Sequence, residues 1–159
     1  MDNAASSIEE RIRRLEDLEE IRDLRMRYHY YINEGRYEDM PELFTEDALI
    51  DFGSVGTARG KEQIRAFYAS AGKSLDLIVQ FIHNHMVEVN GDAASGIAYL
   101  DARYAREGVS MIVAGRFTET YVRSQSGWRI DKMDVESFFT VPLSEGWAAA
   151  SIQQARPFD

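Results

Sequence analysis

Val87-Glu88-Val89-Asn90-Gly91-Asp92-Ala93 decides how the second half of this chain folds. Asn-Gly between alternating apolar and polar residues marks a two-residue β-hairpin, because both central positions of that turn require positive φ. Glu107-Gly108 and Ser126-Gly127 repeat the signal downstream. The stretches between the turns, roughly Leu75 to Val89, Ala93 to Arg106, Val109 to Arg123 and Trp128 to Val141, therefore read as four long strands of a curved antiparallel sheet.

Working towards the N-terminus, Gly60 to Ala71 carries Ile64, Phe67 and Tyr68 at helical spacing. Before it, Ala48 to Phe52 reads as a strand, and Gly53-Ser54-Val55-Gly56 as a turn returning through Thr57 to Arg59. Tyr37 to Phe44 reads as a short helix that tolerates Pro41 only in its first turn. Furthest upstream, Ser6 and Ser7 precede Glu9 and Glu10 at capping-box spacing, and Ile8, Ile12, Leu15, Leu18, Ile21, Leu24 and Tyr28 follow every three or four residues until Gly35. Helices first and a long meander last imply one α+β domain, a sheet wrapped around a long N-terminal helix with a pocket at its open end. Residues 142–159, with Trp147, are expected to cap that pocket or a subunit contact.

At 159 residues, 45% hydrophobic and 28% charged, the chain is sized for one domain with a single core. Its net charge of −9 repels phosphate backbones and anionic lipid, which argues against nucleic acid and membrane surfaces as partners. Without cysteine there is no disulfide or thiolate chemistry. The start lacks a signal-peptide pattern and no apolar run approaches the ~20 residues of a membrane span. A soluble, cytoplasmic protein is expected.

Tyr28-His29-Tyr30-Tyr31-Ile32-Asn33 crowds three tyrosines, a histidine and an amide into the end of the first helix. A buried phenol or imidazole needs a hydrogen-bond partner or costs about 1–3 kcal/mol. So much polar aromatic surface suggests a cavity wall, the alternative being rings that cover the core with their polar ends in water.

Several blocks resemble one known family. Arg22-Asp23-Leu24 leading to Tyr28, Glu42-Leu43-Phe44-Thr45-Glu46-Asp47-Ala48, Gly60-Lys61-Glu62-Gln63-Ile64, Val87 to Asp92 and Gly127-Trp128-Arg129-Ile130 are similar to the SnoaL-like branch of the NTF2-like superfamily, over about Ile8 to Phe139. The resemblance implies a cone-shaped α+β fold. It implies no single function, since that cone hosts isomerases, dehydratases, dehydrohalogenases, cyclases and non-catalytic modules. It also implies a homo-oligomer, dimer or trimer, formed through the outer face of the sheet. Tyr28 falls where ketosteroid isomerase and bile-acid dehydratase keep an oxygen-binding tyrosine. The aspartate and histidine that pair in the dehydratase and in hexachlorocyclohexane dehydrochlorinase align with Asn33 and Gln80, both amides. The isomerase's aspartate base aligns with Phe52.

Among the residues themselves, His83 and His85 lie on one face of the third strand and Gln80, Ile82, Asn84 and Met86 on the other, unless a bulge intervenes. The resemblance turns Gln80 and Asn84 inward and leaves the histidines outside. A metal shared by His83 and His85 lacks a recognisable third ligand. Tyr99, Asp101 and Arg103 share a face of the fourth strand, either as a solvated pair or with Asp101 accepting a proton and Arg103 holding an enolate oxygen. The aromatic residues Phe44, Phe52, Phe81, Phe117, Tyr121, Phe138 and Phe139 make any ligand hydrophobic.

These readings converge on a lyase or isomerase that needs no cofactor or metal and abstracts a proton from a hydrophobic ring-containing molecule, dehydration being the first expectation. Tyr28 would bind the oxygen, Asn33 would orient substrate or base, and His83 or Asp101 would move the proton. Tyr31, Gln80, Asn84, Arg103 and Phe52 would line the substrate. The alternatives are a binding or interaction module that has lost the Asp-His dyad, and a ring-hydroxylating oxygenase small subunit.

Overall fold

The computed structural model describes residues 7–148. Helix α1 spans Ile8–Asn33 and begins in a capping box. The Glu10 N–H donates to Ser7 Oγ at 3.1 Å and the Ser7 N–H donates to the Glu10 carboxylate at 2.8 Å, which satisfies two amides that the first turn leaves without partners. Gly35 ends the helical segment at φ +67°, a conformation that costs glycine little. Tyr37–Leu43 forms a 3-10 turn around Pro41. The remaining elements are β1 Phe44–Asp51, β2 Thr57–Arg59, helix α2 Gly60–Ser74, β3 Leu77–Asn90, β4 Ala93–Arg106, β5 Val109–Ser124 and β6 Gly127–Pro142.

All six strands join one sheet in the order β2-β1-β6-β5-β4-β3. The meander β3 to β6 is antiparallel as its hairpin turns require. One seam differs from the expected all-antiparallel sheet: β1 runs parallel to β6, with Leu49 opposite Lys132 and Ile50 opposite Met133. No hairpin links these two strands, so turn geometry leaves their relative direction unconstrained. The result is a mixed, curved, unclosed sheet whose inner face holds α1.

The core lies between that face and the helices. Ile21, Leu24, Tyr28 and Ile32 of α1 meet Ala94, Leu100 and Ala102 of β4, Phe117 and Tyr121 of β5, and Trp128, Ile130 and Met133 of β6. Each fully buried aliphatic side chain contributes about 1.5–3 kcal/mol. The apolar stripe of α1 overruns this core: Ile8, Ile12 and Leu15 are 72%, 50% and 66% exposed. Burial starts at Asp17, which binds Arg123 and accepts from Trp128 Nε1 at 3.1 Å. There the β5–β6 hairpin ends the sheet.

Trp147 stacks on Phe139 with ring centroids 5.7 Å apart. Residues 149–159, on which much of the expectation for the C-terminal tail falls, lie outside the described residues. Among the described residues no helix is long and apolar enough to cross a membrane.

Candidate active site

Helix α1 turns Ile21, Leu24, Arg25, Tyr28, His29 and Ile32 towards the sheet, the i, i+3, i+4 pattern of a buried face. Three of these residues are polar, and the sheet supplies their counterparts. Removing an arginine from water costs several kcal/mol unless the charge is paired. Arg25, 1% exposed, bonds Glu119 Oε1 through Nη1 at 2.8 Å, and the Glu119 side chain is fully buried. The guanidinium also lies 3.8 Å from the Phe117 ring centre and 4.4 Å from that of Tyr28. The other Glu119 oxygen accepts from the Tyr121 hydroxyl at 2.7 Å. That hydroxyl lies 3.2 Å from His85 Nε2. A continuous polar chain thus runs from α1 across β5 to β3.

Beside it, the Tyr28 and Tyr68 hydroxyls bond each other at 2.9 Å. Burial, only partly countered by Arg25, pushes the Tyr28 phenol up to about 12. His29 is 6% exposed, and among the described residues its ring nitrogens meet no partner at good hydrogen-bond geometry, the Gln80 side chain being its nearest polar neighbour. Burial and then the Arg25 charge push it down to about 2, opposed only by the neighbouring Gln80. Burial and then Arg25 and Arg22 lower His85 to about 4. Burial raises the Glu119 carboxyl, while Arg25 and Tyr121 hold it back. Near neutral pH the cone interior therefore contains protonated phenols, neutral imidazoles and one internally compensated ion pair. Among the described residues, Arg25 Nε and Nη2 and Gln80 Oε1 are also buried without a partner at good hydrogen-bond geometry. Surface depressions beside Arg11 and Leu15, and between Val109 and Leu143, do not touch this cluster.

A bulge in β3 decides which histidine belongs to this cluster. His83 opposes Tyr99 and Met86 opposes Ile97, so two residues are accommodated where the partner strand has one. Asn84 takes up the slip at φ +52°. Gln80 keeps its inward place, and beyond the bulge His85, Val87 and Val89 face the interior. Asn84 is exposed rather than inward, and His85 is inward rather than outside. The two histidines now lie on opposite faces, which removes the metal pairing considered for them.

The outer face holds the other expected proton movers. Ala94, Gly96, Ala98, Leu100 and Ala102 are the buried residues of β4, so alternation turns Tyr99, Asp101 and Arg103 outward. Asp101 bonds Arg103 at 3.3 Å and lies 4.0 Å from His83. His83 and Asp101 meet each other across the sheet from Tyr28 and cannot act at its hydroxyl, and Arg103 faces outward with them. Asn33 is also committed elsewhere. Its Nδ2 donates to the Gln80 carbonyl at 2.9 Å and its Oδ1 accepts from the Gln80 N–H at 2.7 Å. A carboxylate could satisfy only the second bond, which explains an amide at this position. Tyr31 is half-buried with Arg36 4.8 Å from its ring centre. Phe52 packs on Phe67 and Tyr68 with centroids 5.2 and 6.4 Å away, near the phenol pair.

A profile of the SnoaL-like domain family matches residues 13–134. An uncharacterized protein of Mycobacterium tuberculosis is 28% identical over 120 residues, 73% of this chain and 82% of its own length. Among solved structures, an NTF2-like protein with a cystatin-like fold from Novosphingobium aromaticivorans has a TM-score of 0.70 at 27% identity, covering 98% of this chain and 100% of that one. Hexachlorocyclohexane dehydrochlorinase LinA-type3 from Novosphingobium barchaimii gives 0.76 at 20% identity, covering 91% and 97%. The last is a likeness of fold.

Proposed function

The chain belongs to the SnoaL-like domain family, and from that premise we propose that it is a cofactor-independent lyase or isomerase that moves a proton on a hydrophobic ring-containing molecule, with dehydration as the first expectation. The observation that carries this reading is the interior union of a neutral imidazole, His85, with a buried guanidinium, Arg25, through Tyr121 and Glu119. A neutral imidazole accepts a proton near neutral pH without first losing one. Arg25 and the Tyr28–Tyr68 pair supply donors for a developing oxyanion or a departing hydroxyl. Each phenol has one proton, so when one donates to the other, the second proton remains available to a ligand. Phe117, Phe52 and Phe67 give an apolar surround.

A second reading is a non-catalytic binding module. It is favoured by Asn33, which spends on the β3 backbone the position where a charged base partner was expected. Assembly as a homo-oligomer through the outer face is part of the proposal. Phe81, 47% exposed, and the Tyr99–Phe138 ring pair lie on that face and support it.

The test incubates the protein in D2O with hydroxylated steroids, polyketide-like phenols and lignin-type aromatics. Mass spectrometry follows loss of water and deuterium uptake. Uptake or elimination above background supports the enzyme. A thermal shift without either outcome selects the binding module.

A further inference from the structure

Resting on that proton-transfer reading, the geometry points to His85 Nδ1 as the proton acceptor, with Tyr121 and Glu119 as positioning residues that fix the imidazole in its Nε2–H tautomer. The assignment follows from counting protons along the chain. Glu119 Oε1 accepts from Arg25 at 2.8 Å, and neutralising this carboxylate would leave a buried guanidinium uncompensated. Glu119 is therefore ionised and can only accept, so Tyr121 gives its single proton to Oε2 at 2.7 Å. The Tyr121 oxygen, 3.2 Å from His85 Nε2, is left to accept, and Nε2 must be the donor. A neutral imidazole with a proton on Nε2 has its lone pair on Nδ1. Among the described residues Nδ1 has no hydrogen-bond partner, and His85 is only partly buried where His29 is buried.

The reaction step balances around this atom. The C–H bond next to the activating group breaks, its proton goes to Nδ1, and its electron pair forms the new C=C bond as the leaving group departs. For a leaving hydroxyl the imidazolium then returns the proton, and water leaves. Burial, then Arg25 and Arg22 from α1, disfavour the imidazolium. From β5, Glu119 offsets them through the Tyr121 phenol. A carboxylate thus acts on histidine through one intervening hydroxyl, in place of the direct Asp-His contact whose positions are amides here. Gly96 makes room for the relay, since a Cβ there would lie 3.2 Å from the Tyr121 ring and 3.0 Å from the Met86 carbonyl.

The test is 15N NMR of the imidazoles in the wild-type chain, with His85 identified from His85→Gln. One tautomer protonated on Nε2, averaging to a mixture in Tyr121→Phe, is the expected result. A His85 protonated on Nδ1 in the wild type overturns the relay while leaving the lyase reading standing. Kinetics supply the second arm. His85→Gln should lower kcat about a hundredfold or more with KM little changed, and Tyr121→Phe should lower kcat and shift its pH profile. Normal turnover in His85→Gln overturns His85 as acceptor even if the tautomer is as expected. Absence of turnover in the wild type, with the Nε2 tautomer present, overturns the functional reading on which the assignment rests.

Discussion

Lowering the pH from about 7.5 to about 5 should weaken this fold chiefly through imidazoles held neutral inside the cone. His29 is the clearest case, because its folded pKa is near 2 against an ordinary value of 6.5. A folded value below the unfolded one means that the unfolded chain takes up the proton first. The stabilisation is therefore complete above about pH 6.5 and is lost as pH falls towards 2, at about 1.4 kcal/mol per unit for one proton. By pH 5 the loss from His29 alone is about 2 kcal/mol, a large part of the 5–15 kcal/mol typical of a domain. His85 acts in the same sense between 6.5 and about 4, damped by its partial exposure to solvent. Glu119 acts in the opposite sense, since its raised carboxyl favours the folded state at low pH and that contribution fades as pH rises through its folded pKa. Comparison with His29→Leu isolates the histidine term. Urea unfolding of both proteins at several pH values gives the slope of stability against pH, and the variant should be shallower by about one proton. Equal slopes would mean that His29 titrates normally and is in contact with water, and the closed interior would be refuted.

Other expectations follow from the same cluster. Arg25→Met or Glu119→Leu alone should cost about 3–5 kcal/mol by leaving a buried charge, while the double variant regains most of it; a double-mutant cycle by urea unfolding reads this out. Tyr28→Phe strands the Tyr68 hydroxyl and should cost about 1–3 kcal/mol, whereas Tyr28→Phe with Tyr68→Phe should be closer to wild type; additive losses would deny the phenol pair. Asn33→Asp should also lose about 1–3 kcal/mol because the Gln80 carbonyl loses its donor; a gain in turnover without loss of melting temperature would contradict the clamp.

Most of the architecture could be read from turn chemistry. Asn90-Gly91 and its two successors place the meander because their local geometry is independent of tertiary context, whereas the parallel β1–β6 seam joins segments that no turn links. The site was harder. Tyr28 stands out because its whole neighbourhood is aromatic, whereas Arg25 is masked by the many charged residues of the same helix, although it sits four residues after Ile21 and three before Tyr28. Glu119 gave a similar signal, an acid between the inward Phe117 and Tyr121 at strand spacing. Both are visible as polar interruptions of an apolar face, and only together do they become affordable. The bulge also left a trace, since the inward positions run through even numbers to Ile82 and through odd numbers at Val87 and Val89. That change of parity is what separates His83 from His85.

The Asn33 clamp has a consequence for how copies of this chain can meet. Strand β3 is one border of the open sheet, and a bare border offers peptide groups to any extended segment that approaches it. At Gln80 one rung is already occupied, because the amide imitates the N–H and C=O of a neighbouring strand. A foreign strand would have to displace the end of α1 to pair there. The carboxamide thus interrupts the ladder that a foreign strand could form along this border.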